Sequence, residues 1–250
     1  FFGILHAVTI VPMLSIACFL MFTVAHDAAH GSLSSSPWIN GFFGRISFPF
    51  LGPFAVFPMF RWIHHQHHKF TNHPSKDPDR FASHGDLWLL PFKWTLLQGH
   101  YLYHYLKNVQ HRPVTEVLEL VAQVAANVFV MCWLVEHGFT RQLVTYWLLP
   151  SFLGQVLLVI LFDFIPHWNL EATPAENRYQ TTAMLQTYSF LQPVLSLLLQ
   201  YQDYHLIHHL YPQIPFYRYS NKWREKKEYL VEQKQVRINR LKVDLNGLHL

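Results

Sequence analysis

Long uninterrupted apolar runs, rather than alternating or amphipathic patterns, mark out the chain. Residues 1–25, FFGILHAVTIVPMLSIACFLMFTVA, contain no Asp, Glu, Lys or Arg. At about 1.5 Å per residue a helix of this length reaches roughly 37 Å, enough to cross a bilayer. A second run, VLELVAQVAANVFVMCWLV at 117–135, holds one acid, Glu119, near its end. There most of the roughly 2.5–3.5 kcal/mol cost of a mid-membrane charge is avoided. A third, QLVTYWLLPSFLGQVLLVILF at 142–162, carries no formal charge. Only EHGFTR separates the second from the third, which predicts a hairpin of two spans with a very short turn.

Two other apolar stretches break this pattern. GFFGRISFPFLGPFAVFPMF, 41–60, holds Arg45, three Gly and three Pro, which excludes a straight lipid-facing helix. AMLQTYSFLQPVLSLLLQYQ, 183–202, is uncharged but contains Pro193 and four Gln. Both are predicted to be interfacial or re-entrant. The chain as a whole is then expected to be an all-α integral membrane protein, a bundle of spans with a helical cap, forming a single domain over 1–250 with a basic tail from 218 to 250.

Charge supports that topology. The polar regions 26–116 and 163–250 carry eight and ten of the 19 Lys and Arg, and the short turn carries only Arg141. By the positive-inside tendency both large regions, and the C-terminus, face the cytoplasm. A crossing at 183–202 would export the basic segment KWREKKEYL, so the charge pattern argues against it. The composition, 51% hydrophobic, 16% aromatic and 14% charged, departs from a soluble average in the same direction. A net charge of +4 does not mark a nucleic-acid binder here, because the basic residues do not share one compact polar face. Cys18 and Cys132 lie in apolar stretches and give no support to a disulfide framework or a cysteine-ligated metal. The chain opens on Phe within an apolar run, so its numbering is expected to begin inside a longer polypeptide.

Candidate chemistry sits in three histidine clusters just beyond the spans. HDAAH presents His26 and His30 four residues apart. HHQHH presents His64, His67 and His68, and HLIHH presents His205, His208 and His209. On a helix, positions i, i+3 and i+4 share a face, so each cluster aims its rings at one point. His167 follows the third span. Nine rings exceed the roughly six ligands one ion accepts, which implies two metals. Imidazole suits zinc, copper, iron and nickel alike, so the reaction must choose among them. A metal pair at the mouth of an apolar bundle points to an oily substrate whose C–H bonds need redox chemistry, which zinc lacks and iron with dioxygen supplies. His6, His84, His100, His104, His111, His137 and His249 read as interfacial or hydrogen-bonded side chains, and His73 as a loop histidine.

In order and spacing, HDAAH, HHQHH and HLIHH resemble the three histidine boxes of the membrane fatty acid desaturase superfamily. LFDFIPHWNLEATPAENRY at 161–179, YHLIHHLYPQIPFYRY at 204–219 and TNHPSKDPD after the second box are more similar to the desaturase-type β-carotene ring hydroxylases than to the acyl desaturases. The likeness runs from about residue 24 to about 225. It implies a di-iron, dioxygen-dependent oxidoreductase with His26, His30, His64, His67, His68, His167, His205, His208 and His209 as iron ligands. His65 is expected as a supporting residue facing away from the metals. Asp163, one turn before His167, is a candidate acceptor for that ring's remaining N–H, with Asp27, Asp77 and Asp79 as lesser candidates for such a role. Asp203 stands where relatives often place Asn.

Hydroxylation and desaturation remain alternatives, as do carotenoid, acyl-lipid and alkane-type substrates. No haem-attachment, cysteine-rich or dinucleotide motif occurs in these residues, so the electrons are expected from a separate ferredoxin-, rubredoxin- or cytochrome b5-like protein. The basic tail offers such a donor, or anionic headgroups, a surface, or is simply a solvated helix. A metal transporter is the rival outside enzymes; its ligands should line the spans, yet the spans carry almost none.

Overall fold

The computed structural model describes residues 2–240, with side chains described from Ala7 onward; His249 and the end of the tail lie outside the described residues, as does the His6 side chain. The fold is almost wholly helical. α1 (Phe2–His30) is one continuous helix that carries the first histidine cluster on its last turn. It stops because Gly31 takes a φ of 69°, a left-handed conformation that glycine adopts without a Cβ clash. α2 (Pro37–Ser47) then runs into a short 3-10 turn, Phe48–Leu51. Gly52, at φ 134°, and Pro53 break the chain before α3 (Phe57–Phe70) begins. The apolar stretch 41–60 is therefore two helices and a turn, as its Gly and Pro predict.

α4 (Leu90–Lys107) was not signalled by any long apolar run, because its sequence mixes aromatic and polar residues. α5 (Val114–Glu136) and α6 (Thr140–His167) form the expected hairpin. Among the described residues, three helices are long and apolar enough to cross a membrane: Ala7–His30, Val114–Glu136 and Thr140–His167. The first and third extend beyond their predicted ends, to the histidines themselves. α6 contains two π-helical segments, Val144–Leu148 and Val159–Phe164. Its last turn so brings His167 to the level of the other histidines.

The 183–202 stretch is no span. It forms a short strand, β1 (Met184–Gln186), then α7 (Gln192–Leu198), which Pro193 opens. α8 (His205–Leu210) carries the third cluster, and α9 (Tyr219–Glu228) packs against it. Beyond α9 a second strand, β2 (Ile238–Arg240), pairs in parallel with β1, Met184 opposite Ile238. The basic tail is thus not a free solvated helix: Tyr219, Trp223 and Leu230 are buried on its inner face.

The main core joins α1 to α6 through aromatic edges. Phe22 meets Phe162 at 5.1 Å and 89°, and Phe60 at 5.4 Å and 73°. The two charges that interrupt apolar stretches satisfy each other: Arg45 donates from Nε and Nη2 to Glu119 at 2.6 and 2.8 Å, tying α2 to α5. Gly154 lets α6 approach α1 closely. A Cβ there would lie 2.9 Å from both the Ser15 carbonyl oxygen and the Cys18 Cβ. We expect Gly154→Val to cost about 1–3 kcal/mol, measured as a lower melting midpoint in detergent. Gly99→Ala, which meets no atom within 4 Å in α4, should instead raise stability by about 0.5–1 kcal/mol.

Candidate metal centre

Three helix ends and one short helix meet at the histidines. α1 supplies His26 and His30, α3 supplies His64, His67 and His68, α6 supplies His167, and α8 supplies His205, His208 and His209. α8 is only six residues long, and Tyr201, at φ 62°, turns the chain sharply before it. All nine residues come together. Their ligand atoms fall into two groups, His26, His30, His64 and His208, and His67, His167, His205 and His209, each with its ligand nitrogens within 4.8 Å of one another. His68 joins His208 and His209 in a third grouping that bridges the two.

The ring nitrogens face each other at short range. His26 Nε2 is 3.0 Å from His208 Nε2, and His208 Nε2 is 2.8 Å from His68 Nε2. On the other side His167 and His209 Nε2 each lie 3.1 Å from His205 Nε2, and His67 and His209 Nε2 are 3.3 Å apart. A neutral imidazole carries one ring proton, and the outward nitrogens claim it. His67 Nδ1 donates to Asp77 Oδ1 at 2.9 Å, His26 Nδ1 to Asp27 Oδ1 at 3.3 Å and His205 Nδ1 to Gln202 Oε1 at 2.8 Å. His208 Nδ1 meets the Tyr219 hydroxyl at 2.9 Å. In the neutral rings of His205 and His208, with Nδ1 protonated, Nε2 is left as a lone pair aimed at the facing nitrogens. His30 Nε2 is buried without a hydrogen-bond partner among the described residues. A cation among the rings satisfies all of these nitrogens together, and donors about 3 Å apart are what ligands near 2.1 Å from a shared ion require. The residues fit a metal pair.

Protonation follows the same division. Burial, with the neighbouring imidazoles, holds His64, His68, His205, His208 and His209 well below the ordinary histidine range, so they stay neutral. His67 differs: burial pushes it down, but Asp77 and Asp79 more than offset this and raise it to about 9. Burial also lifts Asp79, against the pull of His67 and with Asp77 beside it, to about 6.

An apolar cavity opens onto both groups. His26 and His64 from one, and His67 and His205 from the other, form its polar end, and Phe22, Phe60, Leu97, Leu158 and Phe162 are among its walls. Asp163 and Tyr101 also line it, and the Tyr101 hydroxyl donates to Asp79 Oδ1 at 2.6 Å.

The expected hydrogen bond from His167 to Asp163 is not made, since His167 Nδ1 has no partner and Asp163 faces the cavity instead. The carboxylates that do orient rings are Asp27 and Asp77, with Asp79 Oδ2 also 3.4 Å from His67 Nδ1. Asp203 makes no hydrogen bond to a histidine among the described residues; its Oδ2 accepts from Ser196 Oγ at 2.6 Å and Gln192 Nε2 at 2.7 Å, pinning α7 to the turn before α8. His65 faces away, exposed, with its ring 5.5 Å from that of His30 and a hydrogen bond to the Ala29 backbone. His73 lies in the loop after α3, where its Nδ1 accepts from Ser75 N at 3.2 Å. Outside the cluster, His100 stacks on Phe81 at 4.1 Å and His84 reaches the Leu170 carbonyl at 2.8 Å. Gln202 and Tyr219 were missed by sequence reasoning. Gln202 carried a signal, three residues before His205 on the same turn; Tyr219, eleven residues beyond His208, carried none.

Fold and site together define a helical protein with three helices able to cross a membrane and two groups of imidazoles that could each hold a metal ion. The chain belongs to the fatty acid desaturase family, whose model, Fatty acid desaturase, matches residues 2–240. It is 26% identical over 219 residues to the beta-carotene ketolase of Paracoccus sp., covering 83% of this chain and 78% of that protein. It is 25% identical over 207 residues to the sn-1 oleoyl-lipid 12-desaturase of Picosynechococcus sp., 82% of this chain and 50% of that one. A shorter match, 39% over 79 residues, covers 30% of this chain and 17% of the omega-3 fatty acid desaturase fat-1 of Caenorhabditis elegans. The chain therefore spans half or less of these two desaturases.

Two outcomes follow from this geometry. Tyr219→Phe leaves the His208 N–H without its acceptor and should weaken metal binding by about 10–100-fold, measured by chelator competition, with the fold intact by circular dichroism. In metal-free protein, the imidazoles held neutral take up protons only on unfolding, so stability should fall as pH drops below about 6.5. His67 runs the other way: its contribution is complete below about pH 6.5 and is lost as pH rises through about 9. The melting midpoint of the metal-free protein should therefore peak near neutrality, and Asp77→Asn should lessen the alkaline decline, with Asp79 still beside the ring.

Proposed function

We propose that this protein is a membrane di-iron oxidoreductase that uses dioxygen and two electrons from a separate donor protein to hydroxylate a hydrophobic substrate, foremost a carotenoid ring. The observation that carries the reading is the apolar cavity whose polar end is formed by two histidines from each four-imidazole group. His26, His30, His64 and His208 would hold one iron and His67, His167, His205 and His209 the other, with His68 grouped beside His208 and His209. When bound, the iron pair supplies the redox chemistry that cleaves an unactivated C–H bond with dioxygen. The overall balance is R–H + O2 + 2 e− + 2 H+ → R–OH + H2O. Loss of a second hydrogen in place of oxygen transfer gives a double bond and two waters.

The chain's own residues prepare that event. Asp27, Asp77, Gln202 and Tyr219 fix the ring tautomers so that Nε2 faces the metals. Phe22, Phe60 and Phe162 hold the apolar segment of substrate and keep bulk water from the histidines. The Lys and Arg distribution supports a cytoplasmic site, the side on which soluble electron donors act. The carotenoid reading is supported by the ketolase match, which covers most of both chains, and by the hydroxylase-like segments at 161–179 and 204–219. Acyl-lipid desaturation is the second reading, favoured by the lipid desaturases among the relatives.

Purified protein should hold about two irons per chain, and His67→Ala or His208→Ala should lose both iron and turnover. Zinc transport that survives these substitutions would defeat the enzyme reading. Ala55→Trp, which fills the cavity, should cut turnover about 100-fold with iron content unchanged. Extracts of cells expressing the gene should contain hydroxylated carotenoids; new unsaturated acyl chains with unaltered pigments would instead establish the second reading.

A further inference from the structure

A second concave surface lies on the other side of α1's last turn. It is a groove of about 570 Å³, within the range of small-ligand sites, and shares no lining residue with the substrate cavity. Ser34 and Ser35 from the loop after α1, Arg61, Trp62 and His65 from α3, and Arg112 line it, with no Asp or Glu among the lining residues. Its position follows from the spans. Ala28–Gly31 end the first span, and Arg112 stands two residues before the Val114 that begins the second, so the groove lies where two spans meet the same membrane surface.

Its two arginines are differently prepared. Arg112 donates from Nε and Nη2 to Glu116 at 2.8–3.1 Å and lies 4.9 Å from the Trp62 ring centroid, so its guanidinium is held in place with Nη1 outside that pair. Arg61 makes no hydrogen bond or ion pair among the described residues and rests 5.8 Å from the Phe57 centroid. Arg45 close by shows the contrast, being fully engaged by Glu119. The rim is shaped for lipid. On α2, whose Asn40 and Gly41 line the groove, Trp38 is 74% exposed and stacks on Phe42 at 5.5 Å and 10°. Exposed aromatic residues at a span terminus sit at headgroup level, and basic pockets between spans receive anionic headgroups.

We propose that this groove binds the phosphodiester of an anionic phospholipid from the surrounding leaflet, between Arg61 and Arg112, at a site separate from the substrate cavity. The geometry favours a headgroup over a docked protein because the surface is concave, adjoins two span ends and has the exposed Trp38 and Phe42 on a helix that lines it. Bound there, the lipid spans the end of α1, the 31–36 loop and α3, the elements that present the first two histidine clusters.

The test does not depend on iron or turnover. Full-length protein is reconstituted in nanodiscs of phosphatidylcholine with 10 mol% phosphatidylglycerol, as about a tenth of the lipid, extracted into mild detergent, and its retained lipid counted by mass spectrometry. Wild type should retain phosphatidylglycerol over phosphatidylcholine, and Arg61→Glu should lower that retention about tenfold. Ser35→Glu, which adds an anion to the groove from an exposed loop, should do the same without loss of a packed side chain. Lys107→Glu, exposed on α4 and outside the groove, should change nothing. Equal retention of both lipids, or unchanged retention in both groove variants, would overturn the proposal. Displacement of the lipid by equimolar inorganic phosphate would overturn the lipid assignment. A loss of binding to an acidic electron-transfer protein in Arg61→Glu, with lipid retention unchanged, would assign the groove to that partner instead.

Discussion

Lone pairs of buried imidazoles, turned toward one another, set the constraint around which the rest of this protein is organised. In His26, His205 and His208 a group outside the facing rings meets Nδ1 and leaves Nε2 to point inward, and the facing nitrogens of the cluster lie 2.8–3.3 Å apart. Such an array is unfavourable by itself. It becomes favourable once a cation sits among the donors, so metal affinity and the stability of this region are coupled. His67 is flanked by Asp77 and Asp79, whose charges outweigh its burial and raise it to about 9.

The fold can be understood as the means of assembling those rings. Span ends deliver His26, His30 and His167, and the short helices α3 and α8 deliver the others. The residues that lock the rings come from yet other places: the loop after α3, the turn before α8, and the first turn of α9. The segment from Phe216 to Tyr219, leading into the tail, acts on two clusters together. Tyr219 engages His208, while the Phe216 backbone N–H donates to Asp27 Oδ2 at 3.2 Å, behind His26. His26 and His208 themselves meet at 3.0 Å. A segment that reads as a solvated basic tail is therefore a strap whose buried face supports the centre.

Much of this was legible beforehand. The three spans, the broken helix at 41–60 and the failure of 183–202 to cross were readable from charge, Gly and Pro, because lipid tolerates neither unpaired charge nor open backbone. The helical spacing of HDAAH, HHQHH and HLIHH was readable because ring placement on one face depends only on residues three and four apart. α4 and the inner face of α9 were not. Their burial depends on what packs over them, and a mixed pattern such as LPFKWTLLQGHYLYHYLK does not encode its partner. Asp163 illustrates the same limit. It stands one turn before His167, yet the π-helical segment Val159–Phe164 shifts the face it presents, and it lines the cavity instead.

The sequence alone determined the apolar helices long enough to span a membrane and the three clusters that supply the nine imidazoles, since these follow from local composition and short-range spacing. Only the tertiary structure decided how the nine divide. His64 joins the first cluster and His208, while His67 joins His167, His205 and His209, with His68 between. That division separates neighbours within one box and unites residues more than a hundred positions apart. It is set by the angles at which α1, α3, α6 and α8 meet, and no spacing along a single helix contains those angles.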